Sequence, residues 1–359
     1  MATLTSPLIE VEDSWEAVND WFCTEKLSDG LPVVPPTVER VERMLMATKR
    51  DPQDIIGIIP PKWAPCTIEK IAINAVMAGC LPEYLPVVVA AVEAICEPRF
   101  NLYGVQATTG YVGPALLLNG PIRQHLNVNC DAGVFGPGFR SNATIGRAIR
   151  LILITVGGGY PGESDRSTFG WPGKYTMCFG ENEEKSPWEP YHVEFGFKPG
   201  ESTVTAFGIN GFLPIHTAGS RGEQALSSLA EVIRMHHGVS HLDVGSFGGG
   251  TPLIALGIED AEIMARDGIT KKRVKNYLWE HASLRFSEIP ARRKAHKSED
   301  DLLRESPNVT ADGVVHLSSK PEDIMVIVAG GKHRHSVFLP MWTGRNTLCA
   351  IKAIRSLHE

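Results

Sequence analysis

The sequence GPALLLNGP, at residues 113–121, decides the predicted fold class, because an apolar run between turn residues is typical of a short buried strand. A similar run, GTPLIALG, lies at residues 250–257. A glycine-rich segment precedes each run, and a polar turn and a predicted helix follow it. Buried strands that alternate with helices indicate an α/β fold. The likeness of the two runs predicts two pseudo-repeated α/β halves, and chance similarity between short apolar strands is the alternative.

The predicted organisation has three parts. Residues 1–50 form an N-terminal arm of two helices, residues 51–200 form the first α/β half with long loops rich in glycine and proline, and residues 201–359 form the second half. Because such an arm has no core of its own, we expect it to pack on a neighbouring copy in a homodimer. Further predicted elements are helices at residues 67–78, 85–96, 143–156 and 270–282, and strands at residues 55–59 and 324–329.

Composition excludes several classes of protein. Hydrophobic residues make up 43% of the 359 residues and charged residues 21%, which excludes wholesale disorder. With 35 basic and 41 acidic residues the formal net charge is −6, so we expect no nucleic-acid partner. No segment approaches the roughly 20 apolar residues of a membrane span, and residues 1–12 lack the features of a signal peptide. We therefore expect a cytoplasmic protein that acts on a small molecule.

The stretch that is most informative about function is KYTMCFGENEEKSPWEPYHVEFGF, at residues 174–197. Glu181, Glu183, Glu184 and His192 occur there among aromatic residues and prolines, a mixture that indicates a shaped loop packed on the rest of the chain. Carboxylates in such a setting have raised pKa values suited to general acid–base catalysis, or they bind a hard cation. An acidic surface loop with aromatic anchors is the alternative.

A histidine-rich stretch offers further metal ligands. His237 and His241 are four residues apart, but Gly238 between them is predicted to end the helix that a metal-binding pair would need. A divalent metal held by Glu183, His192, His237 and His241 is therefore one hypothesis. Ordinary capping or core histidines are the alternative.

The predicted start of the helix at residues 143–156 is a candidate anion site. Backbone N–H groups at a helix N-terminus bind anions, and Arg140, Asn142 and Arg147 would add polar and charged groups there. Asn119 ends a neighbouring strand, where ligands of open α/β sheets bind. Arg140, Asn142 and Arg147 are predicted to hold the anionic end of a substrate, and Asn119 is a further predicted substrate-binding residue. A simple helix cap is the alternative.

His216 and Arg221 are weaker candidates for the binding site. They precede another predicted helix, where His216 would supply a base and Arg221 would bind an anion. The chain has neither the glycine-rich motifs of dinucleotide and P-loop sites nor the G-x-S-x-G elbow of α/β-hydrolases, so no nucleotide cofactor is expected.

Cysteines could instead carry the chemistry. The seven cysteines form no C-x-x-C pair, which argues against a disulfide framework and a structural zinc site. Cys80, beside a predicted helix break, and Cys178, before the glutamates, are candidate nucleophiles if a neighbouring group lowers their pKa. Buried inert thiols are the alternative.

Several segments together resemble long-form proteins related to the UGSC family. They are DGLPVVPPT at residues 29–37 with Arg40-Val41, NAVMAGC at 74–80, NATIGRA at 142–148, ENEE at 181–184, SPWEP at 186–190 and ARDGITKKRVKNYLWEHA at 265–282. The family is named for a motif that contains selenocysteine or cysteine, and the resemblance implies thiol–disulfide chemistry. This chain departs from the family because neither Gly219-Ser220 nor Gly245-Ser246 is followed by cysteine. A separate partner subunit would then have to supply the motif.

The sequence leads to one main functional hypothesis. We expect an enzyme of the lyase or hydrolase class that makes or breaks a carbon–heteroatom bond by carboxylate and histidine acid–base chemistry. A thiol-dependent reductase that uses Cys80 or Cys178, and a non-catalytic subunit of a UGSC-type partner, are the alternatives.

Overall fold

The computed structural model describes residues 4–240, 250–289, 298, 300, 301, 304, 306–342, 344 and 347–355. It confirms the predicted α/β fold. The helices of the described residues are α1 (Trp15–Thr24), α2 (Val38–Leu45), α3 (Ile68–Ala78), α4 (Leu85–Ile95), α5 (Leu102–Ala107), α6 (Ile122–His125), α7 (Arg140–Thr155), α8 (Gly222–Ser240), α9 (Ile258–Arg266) and α10 (Lys271–His281).

The strands of the described residues form two sheets of four strands and two sheets of two strands. They are β1 (Ile55–Ile59), β2 (Ala64–Thr67), β3 (Gly113–Asn119), β4 (Cys178–Gly180), β5 (Thr203–Ile209), β6 (Leu213–His216), β7 (Leu253–Leu256), β8 (Leu284–Arg285), β9 (Val314–Val315), β10 (Met325–Val328), β11 (His335–Leu339) and β12 (Ala350–Ala353). The first sheet has the order β12-β5-β3-β4 and the second has the order β10-β7-β11-β6. β1 pairs with β2, and β8 pairs with β9.

The alternation of side chains along the strands produces four layers. In β3, Leu116 and Leu118 pack in the same cluster as residues of α3, α4 and α7, whereas Ala115 and Leu117 belong to a different cluster. That second cluster also contains inward-facing residues of β7 and β10, so the two sheets pack face to face. The opposite face of the second sheet packs on α8, α9 and α10. The order of layers is therefore helices, sheet, sheet and helices.

The two sheets have the same sequence of strand directions. β3 is parallel to β4 and antiparallel to β5, and β7 is likewise parallel to β10 and antiparallel to β11. The fourth strand is exchanged between them, because β6 follows β5 in the chain but pairs with β11, and β12 follows β11 but pairs with β5. A boundary at residue 200 therefore does not separate the two sheets. An origin by duplication stays a prediction.

Local sequence signals placed most elements correctly. Thr67 and Thr270 cap α3 and α10 by accepting hydrogen bonds from the N–H groups of Lys70 and Arg273. The prediction for α7 was wrong at its start, because the helix begins at Arg140 instead of residue 143. Ser141 and Asn142 therefore lie inside the first turn and do not cap it.

The N-terminal arm packs on its own chain. Val41, Met44 and Leu45 of α2 are buried in the same cluster as α3, and Val33 between the two arm helices is fully buried. α1 buries none of its residues completely. The reasoning that predicted a homodimer from a coreless arm therefore fails for α2, and the oligomeric state stays a prediction. Within the described residues no helix combines the length and the apolar composition needed to span a bilayer.

The inter-sheet layer gives a first testable prediction. Phe207 is fully buried there beside Phe179, whereas Phe212 is 56% exposed. Phe207→Ala should lower the free energy of unfolding by about 3–5 kcal/mol, because it leaves a cavity between the sheets. Phe212→Ala is the matched control and should change it by less than about 0.5 kcal/mol. Equal shifts of the two denaturation midpoints would show that the sheets do not pack as described.

Candidate functional site

Two parallel strands place the first members of the site side by side. Leu118 of β3 pairs with Gly180 of β4, so the next residues, Asn119 and Glu181, leave the same edge of the sheet together. Both side chains are fully buried, and Asn119 Nδ2 donates a hydrogen bond of 2.5 Å to Glu181 Oε2. Asn119 shares the face of β3 that points toward the second sheet. The buried carboxyl group of Glu181 is therefore held at the edge of the inter-sheet layer.

A buried arginine connects the end of β3 with the segment after β4. The guanidinium of Arg123, in α6, is 3% exposed and donates to the Gly120 carbonyl at 3.1 Å and to the Glu181 carbonyl at 2.6 Å. It also pairs with Glu183 at 2.8 Å and with Glu184 at 2.9 Å. Charge-assisted bonds of this kind are the stronger ones in proteins. Arg123 therefore fixes residues 181–184 against the end of β3.

The pairing with Arg123 changes the interpretation of two predicted acid–base residues. Glu183 Oε1 accepts from Asn119 Nδ2 at 2.9 Å and from Gly120 N at 2.8 Å, and its other oxygen forms an ion pair with Arg123 at 2.8 Å. Glu184 is half exposed, and the hydrogen bonds from Arg123 lower its pKa. Both carboxylates thus act as fixed anions in the structure, and neither arrangement supports general acid–base catalysis.

Glu181 is held differently. Its Oε2 accepts from Asn119 and from Tyr191 N at 2.8 Å, but its Oε1 has no hydrogen-bond partner. The closest described cation is Lys271, whose Nζ lies 4.0 Å from Oε1, longer than a hydrogen bond. Burial raises the pKa of Glu181, and the charge of Lys271 opposes this shift without cancelling it. Glu181 is therefore a carboxyl group that retains its proton to higher pH than usual.

His192 lies in the same part of the fold and is fully buried. Its Nε2 is 3.0 Å from the Lys198 carbonyl, which requires a proton on Nε2 and leaves Nδ1 as an acceptor. Nδ1 has no partner. Burial lowers the pKa of His192, so the ring is neutral near pH 7, and the charge of Glu183 only partly opposes this shift.

Polar atoms without partners are concentrated around this cluster. Among the described residues, ten buried side-chain nitrogen or oxygen atoms lack a hydrogen bond, and six of them belong to Asn119, Glu181, Asn182, His192, Thr203 and Thr205. Thr203 pairs with Asn119 across β3 and β5, so these groups share one face. Buried polar groups usually bond to protein, water or a ligand, because leaving them unpaired costs about 1–3 kcal/mol each. The concentration therefore points to a ligand-binding region.

A cleft of about 860 Å³ lies directly beside Glu181. Its walls come from residues 187–195, the first two turns of α10, and residues 320–323 before β10. Tyr191 and Lys271 line the cleft and also contact Glu181, so the carboxyl group lies just behind the wall. Glu194 pairs with both Lys271, at 3.3 Å, and Lys275. The structure thus places a buried acid behind a cleft lined with charged groups.

The polar side chains of the predicted anion site at the start of α7 all have partners within the chain. Arg140 donates to the Gly79 carbonyl at 2.8 and 3.0 Å, and Arg147 forms a bidentate pair with Asp29 at 2.8 and 2.9 Å. Asn142 exchanges hydrogen bonds with the backbone of Asn129. Each of these side chains fastens a neighbouring segment to α7, so the geometry gives their role in substrate binding no support, and that role stays a prediction.

The other predicted binding residues lie on different elements. His216, in β6 of the second sheet, is exposed and its ring lies 4.4 Å from that of His335. Arg221 directly precedes α8. No contact among the described residues joins either of them to Asn119 or Glu181, so only Asn119 of the predicted binding residues belongs to the cluster.

The predicted metal site has no geometric support. One oxygen of Glu183 accepts hydrogen bonds from protein donors and the other is paired with Arg123, and within the described ranges no three histidine, cysteine, aspartate or glutamate side chains come together as a metal site. His241 and the side chain of His237 lie outside the described residues. A divalent metal remains untested.

Cys80 and Cys178 lack the setting of a reactive thiol. Both are buried, and Cys80 Sγ lies 3.3 Å from the Thr144 carbonyl. Burial raises the pKa of Cys80 to about 12 and raises the pKa of Cys178 as well. A nucleophilic cysteine needs a lowered pKa, so neither thiol supports the reductase hypothesis.

Sequence reasoning missed Arg123, Lys271, Tyr191 and Thr203. Arg123 lies in a four-residue helix without periodicity, and its partners in the segment after β4 are 58 or more residues away. Lys271 and Lys275 are four apart on α10, which is the spacing of one helix face and was the only available signal.

Comparison with known proteins brings no match: no family model, no curated protein and no solved structure is significantly similar to this chain.

Removal of Arg123 should destabilise the protein strongly. Arg123→Met leaves Glu183 buried without its cation, so we expect a loss of about 3–5 kcal/mol in the free energy of unfolding. Arg50, which is 43% exposed and pairs with Glu93, is the matched control, and Arg50→Met should cost less than about 1 kcal/mol. Chemical denaturation measures both, and equal losses would contradict the role of Arg123.

Alkylation should separate exposed from buried thiols. Iodoacetamide at about pH 7 should label Cys23, which is exposed, while Cys80 and Cys178 stay unlabelled in native protein. Peptide mass spectrometry measures the labelling of each cysteine. Labelling of Cys80 or Cys178 as fast as that of Cys23 would contradict this prediction and support the thiol-dependent reductase.

Glu181 should make stability depend on pH in a defined direction. Because its pKa is higher in the folded state, the folded state gains stability from this proton below the ordinary value of 4.5 and loses it as pH rises through the folded pKa. Glu181→Gln carries no such proton, so the stability of the variant relative to wild type should increase as pH rises above 4.5. A difference in melting temperature that stays constant with pH would contradict the raised pKa.

Proposed function

We propose that this chain is an enzyme that binds a small anionic substrate in the cleft and makes or breaks a carbon–heteroatom bond by proton transfer. Glu181 is the proposed acid–base residue. The ammonium group of Lys271 is proposed to stabilise negative charge beside it. The observation that carries the proposal is the unpartnered Oε1 of the buried Glu181, with Lys271 Nζ at 4.0 Å. An oxygen atom about 2.8 Å from both would hydrogen-bond to both.

The charge of the cleft supports an anionic substrate. Five basic residues line it, against four acidic ones, namely Arg99, Lys271, Lys272, Lys275 and Lys320 against Glu189, Glu194, Glu322 and Asp323. Arg99, Lys272 and Lys320 are exposed and have no ion-pair partner among the described residues. Burial raises the pKa of Asp323. The aromatic rings of Trp188 and Tyr191 provide apolar surface for the body of the substrate.

Proton transfer would proceed in the bond-breaking direction as follows. Glu181 gives its proton to the leaving heteroatom, which departs with the electron pair of the broken bond. The Glu181 carboxylate that remains is stabilised by the ammonium group of Lys271. The carbon left behind receives electrons from a neighbouring C–H bond in an elimination, or from water in a hydrolysis, and the Glu181 carboxylate accepts the proton released from that bond or that water, which restores its protonated state. The reaction is therefore of the lyase or hydrolase class.

We also propose a cytoplasmic location. All seven cysteines lie in the described residues and all are free thiols, which is typical of a reducing compartment.

A turnover screen tests the proposed function. The probes are small carboxylates, phosphates and sulfonates that carry a hydroxyl, amino or thiol group on a neighbouring carbon. Ultraviolet absorbance detects the double bond formed by elimination, and mass spectrometry detects the product of hydrolysis. With a probe that turns over, Glu181→Gln should lower kcat at least about 100-fold.

Matched variants separate catalysis from binding. Lys271→Met should raise KM for the anion, whereas Lys49→Met and Glu16→Gln, at exposed positions far from the site in the chain, should leave both constants unchanged. Full kcat in Glu181→Gln would remove Glu181 from the mechanism. Unchanged KM in Lys271→Met would show that the anion binds elsewhere.

A further inference from the structure

A second cavity, of about 500 Å³, lies on the helical side of the first sheet. Its walls come from residues 28–30, from Arg150 and Ile154 of α7, and from residues 160–175. None of these residues belongs to the cluster around Glu181. The cavity is of the size that small organic ligands occupy.

Arg150 is the unusual side chain of this cavity. It is only 9% exposed, and its Nε donates to the Lys174 carbonyl at 2.8 Å. Its two terminal nitrogens have neither a hydrogen-bond nor an ion-pair partner among the described residues. Burial lowers the pKa of Arg150, and the charges of Asp165 and Asp29 only partly oppose this shift. An arginine remains charged under these conditions, so its charge is left unbalanced.

The neighbouring carboxylates do not balance Arg150, because each already has its own cation. Asp29 forms the bidentate pair with Arg147, and Asp165 pairs with Lys174. With Arg147 behind the wall and Arg150 and Lys174 in it, three cations thus stand against two carboxylates. One negative charge supplied by a ligand would make the site neutral.

Aromatic rings form much of the rest of the cavity. Tyr160, Phe169, Trp171 and Tyr175 line it, and Phe169 is 88% exposed. Trp171 Nε1 is buried and has no hydrogen-bond acceptor. The cavity therefore combines flat apolar walls with two kinds of unused N–H donor, which suits a planar molecule that carries one carboxylate.

The position of the cavity repeats that of the cleft. α7 lies in the chain between the parallel strands β3 and β4, and the cavity lies between α7 and the segment that leads into β4. The cleft lies in the same way between α10 and the segment that leads into β10, the strand parallel to β7. In both places the helix supplies basic side chains. The two sheets thus have a pocket at corresponding positions.

We propose that this cavity is a second ligand site, which binds a small aromatic carboxylate through a bidentate pair with Arg150. The inference is independent of the proposed function, because it uses neither Glu181 nor Lys271. The aromatic body of the ligand lies against the tyrosine and tryptophan rings, and the carboxylate replaces the missing partner of the guanidinium.

Calorimetric titration with sodium benzoate tests the proposal, and benzamide is the neutral probe of the same shape. Benzoate should bind with a Kd below about 1 mM and benzamide at least about tenfold more weakly. Arg150→Met should weaken benzoate binding at least about tenfold, and Arg150→Lys should weaken it less because it keeps the charge but loses the planar fork. Lys49→Met, at an exposed position outside both pockets, should bind benzoate like the wild type.

Three results would overturn the proposal. They are the absence of benzoate binding at about 5 mM, equal binding of benzoate and benzamide, and binding that Lys271→Met weakens while Arg150→Met does not. If Arg150→Met fails to fold, Trp171→Phe replaces it, because this variant removes the indole N–H and keeps an aromatic wall. It should weaken benzoate binding measurably, and unchanged binding would count against the site.

Discussion

The buried guanidinium of Arg123 is the interaction on which the site depends. It joins the end of β3 to residues 181–184, and it compensates the charge of Glu183, whose other oxygen accepts hydrogen bonds from Asn119 and Gly120 N. Without that cation, the anion of Glu183 and the carboxyl group of Glu181 would lie close together in a poorly solvated layer. Because Arg123 serves Glu183 and Glu184, the side chain of Glu181 is left with Lys271 at 4.0 Å as its closest described cation.

The packing of two sheets explains why a carboxyl group at this place keeps its proton. The layer between the sheets is filled by side chains such as Leu117, Phe179 and Phe207, so Glu181 at its edge is removed from water. Three groups contact or face it, Asn119, Tyr191 N and Lys271, and they stabilise its anion only in part. The same packing places α10 and its lysines at the cleft, where the anion of a substrate would bind. Glu181 thus connects the packing of the two sheets with the proposed proton transfer.

Periodicity and capping signals predicted the local elements, but they could not predict which strands pair. Thr67 and Thr270 mark the starts of α3 and α10 by short-range hydrogen bonds that a sequence shows directly. The exchange of β6 and β12 between the sheets depends on contacts distant in the chain. Arg123 and Lys271 were missed for the same reason, because they reach the site through contacts distant in the chain. Glu181 and Asn119 were recognised as candidate site residues. Arg140, Asn142 and Arg147 carried the expected chemistry, yet intramolecular partners that the sequence does not show occupy them.

The central claim, that Glu181 keeps its proton above the usual range of pH, can be measured directly by infrared spectroscopy. The stretching band of protonated carboxyl groups is recorded as pH rises, for the wild type, Glu181→Gln and, as the matched control, Glu183→Gln. The account predicts a band that titrates with a midpoint above 4.5, is absent from Glu181→Gln and is retained in Glu183→Gln. Spectra of wild type and Glu181→Gln that coincide at every pH above 4.5 would show that Glu181 is ionised like an ordinary glutamate, and the proposed acid–base role would be wrong.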